Sequence, residues 1–364
     1  MSDDWPRERY DLANTGHTPA SGPKSDPSEL WRADVENFVP GEPVVGSDYL
    51  HLATMVPGAG DPQLFTVDRS SGEVRMRSDR YDPHAEIRGS VPEHDGLLYV
   101  PLFDAGIGVY DAFSGERLQR YGETHHAVGG APRVLEDRIY DSGDYRLNVF
   151  EAQSGELLWS SPSAKGNPAI VDGTVYNTTQ QDPSAEEPVG SWLKPQLLEA
   201  RDADSGRLQW RTRLPIGTNT PVVADGCCFV AGSLPDGGGA VCAIDTADGE
   251  LCWQTAVPTG VLVPPAVGDK RVVTVTNAGV VTAVRREDGR TDWQTDRASE
   301  GSVYAGVVIA DGVVYAGVGE AVYAFDLATG AELWQYPVDG NGCAPVVASG
   351  VVYVQDGDDL VALS

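Results

Sequence analysis

The sequence predicts an all-β protein, an eight-bladed β-propeller of four-stranded antiparallel blades, from three observations. A Gly-x-x-x-Trp hairpin recurs along the chain, its glycines lie 40 to 51 residues apart, and the two chain ends carry complementary parts of one repeat. Repeats of that length are typical of propellers or helical arrays. Because the repeats are rich in β-branched residues and Asp-Gly turns, they favour strands over helices.

The repeat in its fullest form reads Ala-x-Asp-x-x-x-Gly-x-x-x-Trp, and most copies keep its glycine and tryptophan. The Asp can accept hydrogen bonds from the turn that follows it, and the Gly supplies a positive φ. We expect each Trp to lie flat between adjacent blades, where its burial contributes about 4 to 6 kcal/mol as an upper bound. The predicted blade-docking residues are Trp31, Trp159, Trp210, Trp253, Trp293 and Trp334, with Gly249 and Gly330, while Gln119 and Met76 replace the Trp in two degenerate copies.

The two ends of the chain predict how the ring closes. Residues 350–364 stop after a third strand, and Ser28-Glu29-Leu30-Trp31 has the character of the missing outer strand. We therefore expect the N-terminal strand to complete the last blade, which leaves the ring without an unpaired edge. This predicts a leader segment at 1–27 and a single propeller domain at 28–364. Seven blades with an appendage, or an open solenoid, are the alternatives, and the complementary half-blades argue against both.

The charge of the chain is strongly acidic. There are 54 Asp and Glu against 26 Lys and Arg, only four of them Lys, for a net charge of −28. Such a surface repels nucleic acid and acidic membranes. It predicts a halophilic protein whose carboxylates stay hydrated while high salt screens their repulsion. A docking surface for a cation or a basic partner is the alternative.

The sequence gives little indication of the cellular compartment. The start, Met1 to Trp5, has no basic and apolar signal regions, and no run reaches the 18 apolar residues of a membrane span. We expect a soluble, monomeric, cytoplasmic protein, or a cell-surface protein if a signal segment has been removed. The five cysteines are odd in number and match no zinc pattern.

These repeats resemble the pyrroloquinoline-quinone-like (PQQ-like) propeller repeat, with its Ala-x-Asp-x-x-x-Gly-x-x-x-Trp docking motif, over about residues 28–364. The opening Trp5-Pro6 and Asp11-x-Ala13-Asn14-Thr15-Gly16 are similar to the leader before such propellers, including haloarchaeal ones. The resemblance implies one of two functions. Quinoprotein alcohol dehydrogenases bind the quinone and Ca²⁺ over the central funnel, whereas BamB-like subunits of the outer-membrane assembly machine bind no cofactor and work through protein contacts. The motif predicts the fold and does not separate these functions.

Long insertions indicate which rim of the propeller is the working face. They fall at 54–63, 178–196 and 232–239, always between the second and third strands of a blade, and share a rim with the loops that join blades. Cheap surface loops are the alternative explanation. The predicted ligand-binding residues on this funnel rim are Arg88, His125, His126, Lys165, Asn167, Trp192, Asn219, Tyr304 and Asn341.

Reaction chemistry has no recognisable motif in the chain. His125 and His126 are adjacent in an extended loop and point to opposite sides, so we expect no metal site. The quinoprotein dehydrogenases carry an adjacent-cysteine disulfide that stacks on the quinone. Here, however, Cys227 and Cys228 occupy ordinary strand positions, where they are expected to be small core residues. Cys242 and Cys252 lie across one hairpin and could face each other.

Three functions remain from these observations. The favoured one is a non-catalytic propeller that presents one rim to another protein or a cell-envelope component, with no cofactor. The alternative is an oxidoreductase that uses PQQ and Ca²⁺ in the funnel. A sugar binder using Trp192 and Tyr304 is a third and lesser hypothesis.

Overall fold

The chain folds into eight antiparallel sheets, each one blade of a propeller, as the sequence predicts. The computed structural model describes residues 4–36, 41–56, 60–79, 87, 89–102, 106–122, 130–142, 146–162, 165–179, 196–218, 220–296, 306–340 and 344–364. Among these residues, no helix has the length and apolar character needed to cross a membrane.

The strands follow one another in chain order, and in each blade the first strand is the innermost. Two strands precede blade 1: β1 (His17–Thr18) and β2 (Glu29–Asp34). Blades 1 and 2 are β3 (Val44–Val45), β4 (Tyr49–Val56), β5 (Gly60–Asp68), β6 (Val74–Arg77), and β7 (Glu93–His94), β8 (Leu97–Leu102), β9 (Gly106–Asp111), β10 (Arg117–Tyr121). Blades 3 and 4 are β11 (Arg133–Leu135), β12 (Arg138–Asp141), β13 (Arg146–Glu151), β14 (Leu157–Pro162), and β15 (Lys165–Val171), β16 (Thr174–Thr179), β17 (Leu197–Asp202), β18 (Leu208–Arg213).

The second half of the ring repeats this order. Blades 5 and 6 are β19 (Val222–Ala224), β20 (Cys227–Ser233), β21 (Gly239–Asp245), β22 (Leu251–Val257), and β23 (Ala266–Val267), β24 (Arg271–Val275), β25 (Val280–Arg285), β26 (Thr291–Asp296). Blades 7 and 8 are β27 (Val307–Ala310), β28 (Val313–Val318), β29 (Ala321–Asp326), β30 (Glu332–Pro337), and β31 (Val346–Ala348), β32 (Val351–Asp356), β33 (Asp359–Leu363). Runs of buried Val, Ala and Ile on the inner strands form the core between neighbouring sheets.

Each repeat tryptophan except Trp334 docks on the glycine of the next blade. The Trp210 indole Nε1 donates to the carbonyl of Thr246 at 2.8 Å. Its ring covers Gly249, where a Cβ would lie 2.6 Å from a ring carbon. Gly is therefore required for two reasons, since its φ of +78° is positive and the ring leaves no room for a side chain. The same pairing joins Trp31 to Gly72, Trp159 to Gly206, Trp253 to Gly289 and Trp293 to Gly330.

The two degenerate copies keep this joint with other residues. In blade 2, Tyr121 replaces the missing Trp, because its hydroxyl donates to the carbonyl of Ala152 at 2.7 Å and its ring lies against Gly155. In blade 1, the Met76 sulfur lies against Gly115, 2.9 Å from where a Cβ would be. A Tyr or a Met therefore takes the place of the Trp at these two joints.

The ring is closed by the N-terminal strand, which confirms the predicted closure. Strand β2 pairs antiparallel with β33, with Trp31 opposite Ala362. Trp334 of blade 7 has its indole N–H bonded to the carbonyl of Pro23, just before β2, at 2.8 Å. Blade 8 is thus built from three strands at the C-terminal end of the chain and one strand, β2, near its N-terminal end.

The loops between second and third strands share a rim with the loops that join blades, and we call this the insertion rim. Gly217, in the connection from blade 4 to blade 5, forms an antiparallel bridge with Ser233 at the end of β20. A second bridge joins Ile87 to Leu102 in the same way at blade 2. Of the three long insertions, residues 57–59 of the first (54–63) and 180–195 of the second (178–196) lie outside the described residues.

Candidate functional site: the leader in the central channel

The leader runs across the inner strands of the blades and lies in the central channel. Its backbone carbonyls accept hydrogen bonds from one inner strand after another in blades 4 to 7. These bonds are Ile170 N–H to Leu12 (2.7 Å), Val223 N–H to Ala13 (2.9 Å), Val267 N–H to Thr15 (2.8 Å) and Ile309 N–H to Gly16 (2.9 Å). Each of these blades therefore binds about one leader residue, and the leader contacts the ring mainly through its backbone.

Both ends of the leader are fixed to the ring as well. Trp5, fully buried, exchanges two backbone hydrogen bonds of 2.8 Å with Val45 of blade 1. At the other end, β1 pairs in parallel with β27, and the Ser21 carbonyl accepts from Gly350 N–H of blade 8 at 2.8 Å. The leader thus connects the first blade with the last, in addition to the closing strand.

Tight bends let the leader make these contacts. Arg9, Tyr10 and Asn14 have φ values of +61°, +73° and +62°, a region that non-glycine residues seldom occupy. At Gly16, a Cβ would lie 2.2 Å from Arg9 Nη2. Such bends persist where surrounding contacts hold them, and they concentrate at functional positions.

The bends direct polar side chains into the channel. With partners from the blades, they form a group that we call the channel cluster, in which Glu8 is half-buried and the other members are buried: Glu8, Arg9, Asn14, Glu42, Arg133 and Asn167. Arg9 is 2% exposed and donates to the carbonyls of Val307 at 2.9 Å and Pro265 at 2.7 Å, which belong to the seventh and sixth blades. One side chain therefore joins two blades from the channel axis.

Glu42 is the carboxylate that faces Arg9. Its Oε2 accepts from the Arg9 backbone N–H at 2.7 Å and from Trp5 Nε1 at 2.9 Å, while its Oε1 lies 4.0 Å from Arg9 Nη1. Burial raises the pKa of Glu42, and the Arg9 guanidinium opposes that shift. The pair is a desolvated one, in which neither member is stable without the other.

Asn14 holds the opposite side of the channel. Its Nδ2 donates to the carbonyls of Pro221 at 3.0 Å and Asn167 at 3.3 Å, and its Oδ1 accepts from Arg133 Nη2 at 2.6 Å. Asn167 in turn donates from Nδ2 to Glu8 Oε1 at 2.8 Å. Burial lowers the pKa of Arg133 to about 10, so its guanidinium remains charged at neutral pH.

Most of the rim residues predicted from the sequence lie outside the described residues: Arg88, His125, His126, Trp192, Asn219, Tyr304 and Asn341. Asn167 is in the channel, 3% exposed, with its side chain bonded to the leader. Lys165 begins β15, where its backbone pairs with Thr178. Of the predicted ligand-binding residues, the structure thus brings Asn167 together with the channel cluster.

Sequence reasoning missed Glu8, Arg9, Asn14, Glu42 and Arg133. It treated the leader as a segment preceding the ring. The available signal was the polar pattern of the leader itself, where Glu8 and Arg9 stand between Trp5 and Tyr10. Nothing in that pattern indicates that the partners are backbone carbonyls on distant blades.

The cysteines of blade 5 behave as strand residues. Cys227 is half-buried and Cys228 fully buried, so the two point to opposite faces of β20, and both are free thiols. Cys242 does not face Cys252, because its cross-strand neighbour is Gln254 and Cys252 is exposed. The sequence left open whether Cys242 and Cys252 face each other, and they do not, because the strand register places Cys242 opposite Gln254, two residues beyond Cys252.

The described residues do not fit the PQQ and Ca²⁺ that the resemblance implies for the dehydrogenases. No three His, Cys, Asp or Glu side chains in the described part of the chain are grouped to hold a metal ion. The adjacent cysteines lie in a strand rather than over the channel, and the channel contains the chain's own leader. No reaction step through these groups follows from this arrangement.

The eight blades and their tryptophan–glycine joints define a propeller of PQQ-like repeats, and comparison with known proteins agrees. The chain belongs to the family described as "Outer membrane protein assembly factor BamB", which matches residues 23–182, 194–341 and 298–364.

Individual relatives match this chain at low sequence identity. A BamB outer-membrane assembly factor of Burkholderia pseudomallei (strain K96243) is 32% identical over 150 residues, 39% of this chain and 37% of that protein. The one from Moranella endobia (strain PCIT) is 26% identical over 254 residues, 63% of this chain and 62% of that protein. The matches thus span less than two thirds of these curated relatives. Among solved structures, a quinohemoprotein alcohol dehydrogenase from Comamonas testosteroni shares the fold with a TM-score of 0.78, 14% identity, and coverage of 99% of this chain and 80% of that one.

Proposed function

We propose that this chain is a non-catalytic scaffold that binds another protein, or a component of the cell envelope, through the insertion rim. The observation that carries the proposal is the channel. Its axis is taken up by the leader, which is hydrogen-bonded to inner strands around the ring and brings Arg9, Asn14 and Glu8 with it. A channel used in this way stabilises the ring, and contact with another protein or an envelope component is left to the outer surfaces.

Two further observations support the insertion rim as that surface. The family match is to an assembly factor, a class that the resemblance describes as working through protein contacts. The hairpin between β20 and β21 carries Leu234-Pro235-Asp236 beyond the last strand pair, with Pro235 and Asp236 exposed. Proline and a short turn hold such a tip in one conformation, which lowers the entropy lost on binding.

A matched pair of substitutions tests the rim. Asp236 lies on the insertion rim and Asp248 on the opposite one; both are exposed, and each accepts one backbone N–H, from Gly238 at 3.0 Å and Glu250 at 2.9 Å. Asp236→Arg and Asp248→Arg change the charge equally. The intact chain is used as bait in molar salt. We expect the wild type and Asp248→Arg to capture the same partner, and Asp236→Arg to bind that partner with an affinity at least tenfold lower. Equal loss in both variants, or loss only in Asp248→Arg, would place the function elsewhere.

The PQQ-dependent oxidoreductase remains the second hypothesis, supported by the shared fold with quinohemoprotein alcohol dehydrogenases. Titrating the intact protein with PQQ and Ca²⁺ tests it through the quinone absorbance and through dye reduction with alcohols and sugars. Our proposal predicts no stoichiometric spectral change. A saturable change accompanied by turnover would replace the scaffold function with the enzymatic one.

A further inference from the structure

Arg133 is a buried cation with unused hydrogen-bond donors. It lies on β11, the inner strand of blade 3, and has no exposed surface. Its Nη2 donates to Asn14, but its Nε and Nη1 have no hydrogen-bond partner among the described residues. Buried charged donors left in this state are costly, and native structures usually supply a partner for them.

The surroundings of Arg133 point to an anion as that partner. Arg7 is a second cation near Arg133. Its Nη1 donates to the Val134 carbonyl at 3.3 Å, and its positive charge repels that of Arg133 and lowers the pKa of Arg133. Two guanidinium groups next to each other in a desolvated channel attract an oxyanion, whose oxygens accept charge-assisted hydrogen bonds.

A neutral donor is connected to these cations through Glu8. The Ser90 hydroxyl is buried and also without a partner in the described part of the chain, while its backbone N–H donates to Glu8 Oε2 at 3.1 Å. Glu8 is the carboxylate with the largest electrostatic influence on Arg133. Ser90 and Arg133 are thus linked through Glu8, and both have unused hydrogen-bonding capacity.

We propose that the channel binds a small oxyanion, a carboxylate by preference, through Arg133, Arg7 and the Ser90 hydroxyl. The preference for a monoanion follows from Glu8, Glu42 and Asp11, whose negative charges act on Arg133, Asp11 acting on Arg7 as well. These carboxylates balance the two cations, so that a dianion would meet more repulsion than a monoanion does. This site is independent of the insertion rim and of the scaffold function.

The test uses ¹³C-formate and ¹³C-acetate as probes, observed by NMR line broadening at constant ionic strength, with inorganic phosphate and sulfate as competitors. We expect saturable binding of the carboxylates to the wild type and weaker competition by the dianions. Arg133→Met should weaken formate binding at least tenfold. Arg138→Met is the control, because Arg138 lies on the adjacent strand β12, bonded to Ala203 and Asp204, and should bind formate as the wild type does.

A second variant tests the site even if Arg133→Met fails to fold. Ser90→Ala removes one hydroxyl and no charge, and we expect it to weaken formate binding about threefold or more while its circular dichroism stays native. Formate should also raise the melting temperature of the wild type and fail to raise that of Arg133→Met. Absence of saturable binding to the wild type, or equal binding to folded Arg133→Met, would overturn the proposal. Stronger binding of phosphate than of formate would overturn the preference for a carboxylate.

Discussion

Replacing Arg9 with Met is the perturbation that tests most closely how the leader holds the ring. The substitution keeps the length of the side chain but removes the charge and the hydrogen bonds to Val307 and Pro265. It also leaves Glu42 buried without the cation that faces it. Removing one member of a buried pair costs about 3 to 5 kcal/mol.

The assay is urea denaturation followed by tryptophan fluorescence, with the midpoint and the slope determined separately. We expect Arg9→Met to lower the free energy of unfolding by about 3 to 5 kcal/mol. Glu42→Gln in the same background should recover part of the loss, because the uncompensated carboxylate is then gone. A double-mutant cycle over the two sites gives the coupling directly.

The pH dependence supplies a second check. Since burial raises the pKa of Glu42 in the folded state, its protonated form is favoured by folding, and this contribution is present below its ordinary pKa and lost as pH rises through the folded value. Without Arg9 the folded pKa should rise further, so Arg9→Met should be more destabilised at pH 8 than at pH 5.5. A loss below about 1 kcal/mol, or one independent of pH, would refute the claim that this pair holds the leader in the channel.

Other predictions follow from the blade joints and the closure. Trp253→Ala should cost about 3 to 5 kcal/mol in calorimetry, because the ring on Gly289 and its bond to Arg286 are lost; Tyr121→Phe should cost about 1 kcal/mol, the hydrogen bond alone. Deleting residues 1–34 exposes the edge of β33 and should cause aggregation in light scattering, whereas a truncated chain that melts like the whole one would contradict the closure. Hydrogen bonds within the repeat turn lower the pKa of Asp202, so its contribution to stability is present above the ordinary pKa of Asp and lost as pH falls. The free energy of unfolding of Asp202→Asn, measured by urea denaturation at several acidic pH values, should therefore fall less with decreasing pH than that of the wild type.

Much of the fold could be predicted because the joints between blades are local in sequence. A tryptophan and the glycine of the following repeat lie about one period apart, so their spacing alone indicates the pairing of Trp210 with Gly249. The closure was also predictable, since Trp31 has the outer-strand pattern that residues 350–364 lack. Tyr121 was not, because it stands two residues beyond the expected position and replaces the Trp only in three dimensions.

The channel could not be predicted for a different physical reason. Arg9 and Asn14 bind main-chain carbonyls of distant blades, and a carbonyl has no residue identity that a sequence pattern could show. Arg133 occupies a strand position that apolar residues take in other blades, and its role depends on Asn14, more than a hundred residues away. Of the predicted rim residues, Asn167 could be placed in the channel by its position at the start of an inner strand.

Hydrogen–deuterium exchange on the intact chain, with and without a captured partner, tests the scaffold function most directly. Our account predicts protection of the insertion rim, including the hairpin from Ser233 to Gly239, with no change in the opposite turns around Asp248. It also predicts that the leader is equally protected in both states, because the ring already holds it. Protection confined to the opposite turns, or a leader that becomes exposed on binding, would contradict the account.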